Sequence, residues 1–210
     1  SFTEGTATEP EDFTLATASV SFAAGSQGGA AQNATANLIN DLISEPSESF
    51  DLNLGNAFVT PNITLGRSVT AVQILDNDTP GVTITQSVGT TAVTEGGATD
   101  DYSIVLTSQP TSDVTITPNP GSQLSVAPTP LTFTTANWNV AQTVTVTAVD
   151  DAVAEGSHNG TIMHMATSSD AVYNGFAIGS VSATITDNDN AGVTVVESGG
   201  NTAATEGGAT

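Results

Sequence analysis

The stretch DNDTPGV begins at residue 76, and DNDNAGV begins at residue 187, 111 positions on. The echo continues in register, because VTITQSVGTTAVTEGGAT (82–99) returns as VTVVESGGNTAATEGGAT (193–210). A fixed repeat decides what the folding unit is before any strand or helix is assigned. Here the unit is one small domain in length. The expected organisation is a domain lacking its first strands at 1–78, a complete domain at 79–189, and the first strand of a third repeat at 190–210. The chain opens at Ser1 without Met and stops in mid-pattern, so it reads as an excerpt of something longer.

Within the complete unit, Thr alternates with Val and Ile, and such β-branched residues favour strands. Two-residue alternation and turn punctuation place strands near 82–94, 101–108, 112–118, 123–134 (broken by prolines 128 and 130), 142–149, 159–167 and 177–186. Seven short antiparallel strands at this spacing predict an all-β fold of tandem immunoglobulin-like sandwiches. The first unit repeats the later part of that pattern. ASVSF (18–22) answers PLTFT (130–134), and NDLISEPSESFDLNL (40–54) answers DDAVAEGSHNGTIMH (150–164). GSQGGAAQNATANLIN (25–40) reads as a flexible hairpin connection.

Charge narrows the partners. The formal net charge is −21, with Arg67 the single basic side chain besides two histidines. Nucleic acid binding requires Lys or Arg against phosphate, and anionic membranes require the same; neither partner is expected. No run of 18 apolar residues occurs, so no transmembrane helix is expected. There is no Cys, so disulfides and thiol chemistry are excluded. A large acidic excess calls for cations or serves solubility, and the distribution of the acids separates the two.

In a seven-strand antiparallel sandwich the first, third, fifth and seventh strands finish at one pole. The acids of the complete unit fall there: Glu95 after the first strand, Asp150, Asp151 and Glu155 between the fifth and sixth, and Asp187 and Asp189 after the seventh. In the first unit the same rule gathers Glu9, Glu11 and Asp12, then Asp41, Glu45 and Glu48, then Asp76 and Asp78. Two carboxylates about 4 Å apart repel by about 1 kcal/mol in water, and by about 4 kcal/mol at an effective dielectric near 20. A hard cation with six to eight oxygen ligands turns that repulsion into binding. Ca²⁺ suits loop-borne carboxylates of this kind, Mg²⁺ demands a tighter octahedron, and Zn²⁺ wants His or Cys.

GTATEPEDF (5–13), NDLISEPSE (40–48), DDAVAEG (150–156) and the closing DND together resemble the Calx-beta family. These are immunoglobulin-like calcium-binding modules of sodium–calcium exchangers and of long bacterial surface proteins. The resemblance implies calcium ligands at Asp12, Asp41, Glu45, Glu48, Asp76 and Asp78 in the first unit. It implies Glu95, Asp150, Asp151, Glu155, Asp187 and Asp189 in the second. The units differ: the second has no carboxylate in TPNPGSQLSVAPT (117–129), and His158 stands where the first has Glu48.

No catalytic constellation is present. His164 alternates with Ile162 inside a strand and reads as a packed or cross-strand residue. No G-x-S-x-G elbow occurs, and the Gly-rich stretch lacks the Lys of a phosphate loop. Trp138 reads as an anchor beside the fifth strand. The expected function is structural: a calcium-stiffened shaft, sheath, filament or adhesin segment of an extracellular, bacterial cell-surface protein. Its partners are neighbouring repeats or like subunits, including a head-to-tail fibre in which 193–210 of one chain completes the first unit of the next. The alternatives are a regulatory calcium sensor and an accessory binding module of a secreted enzyme.

Overall fold

The computed structural model describes residues 2–16, 20–21, 31–54, 68–200 and 206. The expected strand at ASVSF, the first part (25–30) of the Gly-rich connection expected at 25–40, and Arg67 lie wholly or mostly outside the described residues. The described part of that connection departs from the expectation, since Ala36–Leu38 forms a strand paired with Phe13–Leu15. Among the described residues there is no α-helix, and the strands form four sheets. Apart from the pairing noted below and one isolated bridge, every ladder is antiparallel.

The second unit holds β6 (Val82–Gln86), β7 (Thr91–Thr94), β8 (Asp100–Leu106), β9 (Val114–Asn119), β10 (Leu124–Ala127), β11 (Leu131–Phe133), β12 (Gln142–Ala148), β13 (His158–Ser168) and β14 (Val181–Thr186). One sheet runs β10-β12-β8-β6 and the facing one β11-β9-β13-β14-β7. Period-two patterning puts Tyr102, Ile104 and Leu106 of β8 against Ile162 of β13 and Val181, Ala183 and Ile185 of β14 in one core. Thr143, Thr145 and Thr147 of β12 take the outer face.

Two expected strands divide between the sheets. The run 82–94 breaks at a 3₁₀ turn over Ser87–Gly89, where Val88 has φ 43° and Gly89 φ 84°. The Asp100 carboxylate holds the turn by accepting from Ser87 Oγ and from the Ala92 backbone N–H at 2.8 Å. After it the chain pairs with β14 in parallel, Ala183 facing Thr91 and Thr186 facing Thr94. The run 123–134 breaks at its prolines, as expected, because Pro cannot donate to a ladder; β10 then lies in one sheet and β11 in the other.

His164 and Tyr102 are paired within this core. His164 Nδ1 donates to Gly179 O, and its Nε2 accepts from Tyr102 Oη, both at 2.9 Å. Burial holds the imidazole below its ordinary pKa, so this is the packed neutral histidine that its position in the strand predicts. Trp138 packs partly buried against the same core, and its carbonyl accepts from the Leu106 N–H.

The first unit has β1 (Phe2–Glu4), β2 (Phe13–Leu15), β3 (Ala36–Leu38), β4 (Glu48–Asn53) and β5 (Val69–Ile74). These form a sheet β1-β4-β5 and a pair β2-β3. The registers match the second unit: Phe13 faces Leu38 as Leu124 faces Ala148, and Glu48 faces Ile74 as His158 faces Ile185. Its described core is small, with Ala7, Phe13 and Phe50 buried, against eighteen buried residues in the second. Beyond the second unit, residues 190–200 form no strand. Val193, Val195 and Val196 are exposed, since a strand is held by a neighbour's ladder and none is offered here.

Candidate metal centre

Strand ends at one pole deliver the acids of each unit to a common place. In the second unit, Glu95 follows β7 and its backbone N–H donates to Thr186 O at 3.0 Å, which locks it to the end of β14. Gly96 then turns with φ 59°, and a Cβ there would meet Asn188 Nδ2 and Asp150 Oδ1, both at 3.1 Å. The TEGG sequence therefore lets the backbone pass close beneath the acidic loops. Ligand oxygens of Glu95, Asp187 and Asp189 lie within 4.8 Å of one another, as do ligand atoms of Glu95, Glu155 and His158.

The first aspartate of each DND has a second duty. Asp187 Oδ2 accepts from the N–H groups of Glu155 (2.7 Å) and Gly156 (2.6 Å), and its Oδ1 accepts from Asp189 N–H at 2.7 Å. Asp76 does the same in the first unit, accepting from Glu45 N–H at 2.8 Å and Asp78 N–H at 3.0 Å. Backbone donors favour the charged form. The bond from Asp189, then that from Gly156, holds Asp187 below the usual carboxylate range, and the bond from Asp78 comes first for Asp76. These two carboxylates stay ionised while clamping the strand exit to the acidic loop.

Their neighbours are pushed the other way. Burial, followed by the charges of Asp187 and Asp151, raises the Glu95 carboxyl pKa. Burial raises Glu45 and Glu48 also, with Asp41 the next cause for Glu45 and Asp12 for Glu48. Ligand oxygens of Asp12, Glu45 and Glu48 lie within 4.8 Å of one another. A cavity of about 50 Å³ is lined by these three together with Asp41, Asp76 and Asp78. All six acids expected in the first unit meet around it.

The second unit is less complete. Glu95, Glu155, Asp187 and Asp189 come together, and Asp151 acts on Glu95 through its charge while its Oδ1 caps Val153 N–H. Asp150 stands aside, its Oδ1 taken by Asn188 Nδ2 at 3.1 Å. His158 sits beside Glu155 at 3.5 Å and answers Glu48 by position. The hydrogen bond to Gly156 O, and then the charge of Glu155, raises its pKa. Glu9 and Glu11 are occupied locally, accepting from Leu15 N–H and Thr8 Oγ1.

Sequence reasoning missed Asn188. Its amide donates to Glu95 O and to Asp150 Oδ1, both at 3.1 Å, so it ties two loops of the site. The repeated middle Asn of the two DND stretches was the available signal.

The donors fit a hard cation. Glu95 is 3% exposed, yet its Oε2 has no hydrogen-bond partner, and Asp189 Oδ2 is buried in the same condition. A buried carboxylate oxygen left unpaired is costly. With no Lys in the chain and Arg67 its sole guanidinium, an oxygen-seeking ion is the chemistry that suits the set.

Comparison with family models matches the Calx-beta domain over residues 1–78 and 90–190. No curated protein matches the chain. Among solved structures it is similar to the apo form of the Calx CBD1 domain, at 17% identity and a TM-score of 0.37 over 51% of this chain and 98% of that one. It is similar also to CBD12 from CALX1.2, at 15% identity and a TM-score of 0.39 over 89% of this chain and 85% of that one. At TM-scores this low the likenesses decide nothing about the site, and the family match stands on the sequence model.

Proposed function

The chain belongs to the Calx-beta family, whose domains are calcium-binding modules, and from that premise we propose that it is a calcium-stiffened shaft segment of a large bacterial cell-surface protein. In the first unit Asp12, Glu45 and Glu48 hold the ion, with Asp41, Asp76 and Asp78 around them. In the second, Glu95, Glu155, Asp187 and Asp189 do so, with Asp150 and Asp151 at the rim. The bound ion supplies positive charge that links loops which otherwise repel. The residues position it: Asp76 and Asp187 tie strand exit to loop, and Glu95 fastens the end of the edge strand β7 to the end of β14.

One observation carries the mechanical part. The loop that bears Asp41 and Glu45 also touches the next unit, where Gln109 N–H donates to Leu42 O at 2.7 Å and Ile43 bridges Gln109 in parallel. Fixing Asp41 and Glu45 on an ion therefore fixes the two residues that meet the β8–β9 turn. Small-angle scattering of the chain in calcium and in chelator tests this. A stiffer, more uniform particle in calcium is expected, and identical profiles would sink the shaft reading. A sensor role, by contrast, needs a coupled effector domain.

The raised pKa of Glu95 gives a test of opposite sign for the second site. A carboxyl whose folded pKa lies above its unfolded value binds its proton more tightly in the native state. Its ionised form therefore opposes folding above the folded pKa, and that opposition is relieved as pH falls through it. Glu95→Gln removes the buried charge. The variant is expected to melt higher than wild type in chelator and to lose the calcium response of the second unit. A variant that melts lower in chelator and keeps its full calcium response would show that Glu95 is not a ligand.

A further inference from the structure

The outer faces of the two sheets in the second unit differ in charge. The sheet β11-β9-β13-β14-β7 turns every second side chain outward, and the registers align those positions in rows across it. Thr132 faces Thr115, Met165 faces Thr117, and Thr184 faces Ala92. Along the five strands these outward positions hold Thr, Ser, Asn, Ala and Met, and no charged residue. Asp113 and Asp187 stand just beyond its strand ends. The opposite sheet carries Asp101 outward on β8. On a chain of formal charge −21, an uncharged sheet face is a departure.

The middle strand of that sheet breaks the Thr pattern. Met163 and Met165, the only methionines of the chain, are 65% and 61% exposed on β13, between Thr161 and Thr167 on the same face. They border a depression of about 410 Å³, which Thr117 and Asn119 of β9 and Pro120 after it close on the other side. Threonine at these two positions would serve the fold as well as it does at Thr143, Thr145 and Thr147 of β12. Apolar side chains left in water amid polar ones mark a contact surface. The flexible thioether also adapts to the shape it meets.

Charge decides the occupant. A basic partner is drawn to the acidic loops at the poles, and this face offers it nothing. Another strongly acidic body is held off by the carboxylates elsewhere and comes close only here. We propose that the face takes a second copy of this chain, the two outer sheets packing face to face through Met163 and Met165. An exposed methionine pair beside its own depression makes the surface self-complementary, as an isologous contact about a two-fold axis requires. Such a contact closes at two copies. Sheets packed this way lie about 10 Å apart, close to the Debye length of about 10 Å at 0.1 M salt. Carboxylates around the face therefore repel across the dimer at low salt, and added salt tightens it. The calcium sites take no part in the contact, so its failure leaves the calcium reading untouched.

Sedimentation equilibrium of the intact chain in chelator tests the contact. A monomer–dimer equilibrium is expected, shifting toward dimer as sodium chloride is raised. Met163→Glu with Met165→Glu is expected to leave monomer only, at a melting temperature close to that of wild type, because both side chains are exposed. Thr83→Glu with Thr85→Glu adds the same charge at exposed positions of β6 in the opposite sheet and is expected to keep the dimer. Because the chain has no Cys, Met165→Cys gives a second readout that does not depend on added charge. The two-fold axis brings the middle strands of the two copies together. Mild oxidation is therefore expected to give a disulfide-linked dimer well above the level that Thr83→Cys forms. A chain that stays monomeric at every salt concentration overturns the proposal and leaves the face to a partner of another kind. So does a dimer that survives the glutamate pair, an association that grows past two copies, or equal cross-linking of the two cysteine variants.

Discussion

Calcium is expected to raise the melting temperature of the chelated chain by on the order of 10 °C, and Glu45→Gln is expected to remove the first unit's share of that rise. The expectation follows from what folding does to the acids. Asp12, Glu45 and Glu48 stand apart along the unfolded chain and come within 4.8 Å in the fold. Burial and mutual charge then raise the pKa of both glutamates. An ion bound by the native state alone adds RT ln(1 + [L]/Kd), about 2.7 kcal/mol at a hundredfold excess over Kd. For a domain of about 100 residues each kcal/mol is worth roughly 4–8 °C. Glu45→Gln is cleaner than a change at Asp41, whose Oδ1 also caps Ile43 N–H at 2.9 Å. Scanning calorimetry with and without chelator checks it. A melting temperature that chelator leaves unmoved contradicts the ion pole in both units.

Much of that site was legible in the sequence because its parts are local and repeated. The DND stretches mark strand exits, and the acidic loops fall between strands whose parity fixes the pole. What was not legible depends on partners far along the chain. The break of 82–94 into β6 and β7 turns on Asp100 accepting from Ser87 and Ala92, and nothing in the alternation of VTITQSVGTTAVT announces that acceptor. Asp150 and Asp189 look alike in sequence. One is diverted to Asn188 while the other keeps a buried oxygen free, and only the meeting of two loops decides which. The strand expected at 190–210 failed over 193–197 for a related reason, since valines in period two still need a ladder to join.

The second large effect lies in the core of the first unit. Register equivalence sets Phe50 at the position of Gly160 and Phe13 at that of Leu124. The two units fill this place in different ways. At Gly160 a Cβ would run into Leu124, with Cδ1 at 2.5 Å and Cγ at 2.7 Å, so Leu124 occupies the space itself. In the first unit Phe13 and Phe50 stack instead, ring centroids 3.8 Å apart at an interplanar angle of 10°. Phe2 closes the cluster edge-on to Phe13, at 5.4 Å and 80°. Phe50→Ala removes one face of the stack and leaves a cavity, a loss of about 3–5 kcal/mol. Domains of this size hold only about 5–15 kcal/mol in all, and this one buries few apolar side chains besides that pair. The expected result is a first unit largely unfolded at room temperature beside an intact second one. Trp138, the only tryptophan, lies in the second unit and reports on that unit alone. Its fluorescence transition should stay in place while circular dichroism loses the earlier part of the melt. A Trp138 transition that falls together with the rest would mean that the two units fold as one body. A stability change below about 1 kcal/mol, the scale of a tolerated core swap, would mean that the Phe13–Phe50 stack does not hold the first unit together.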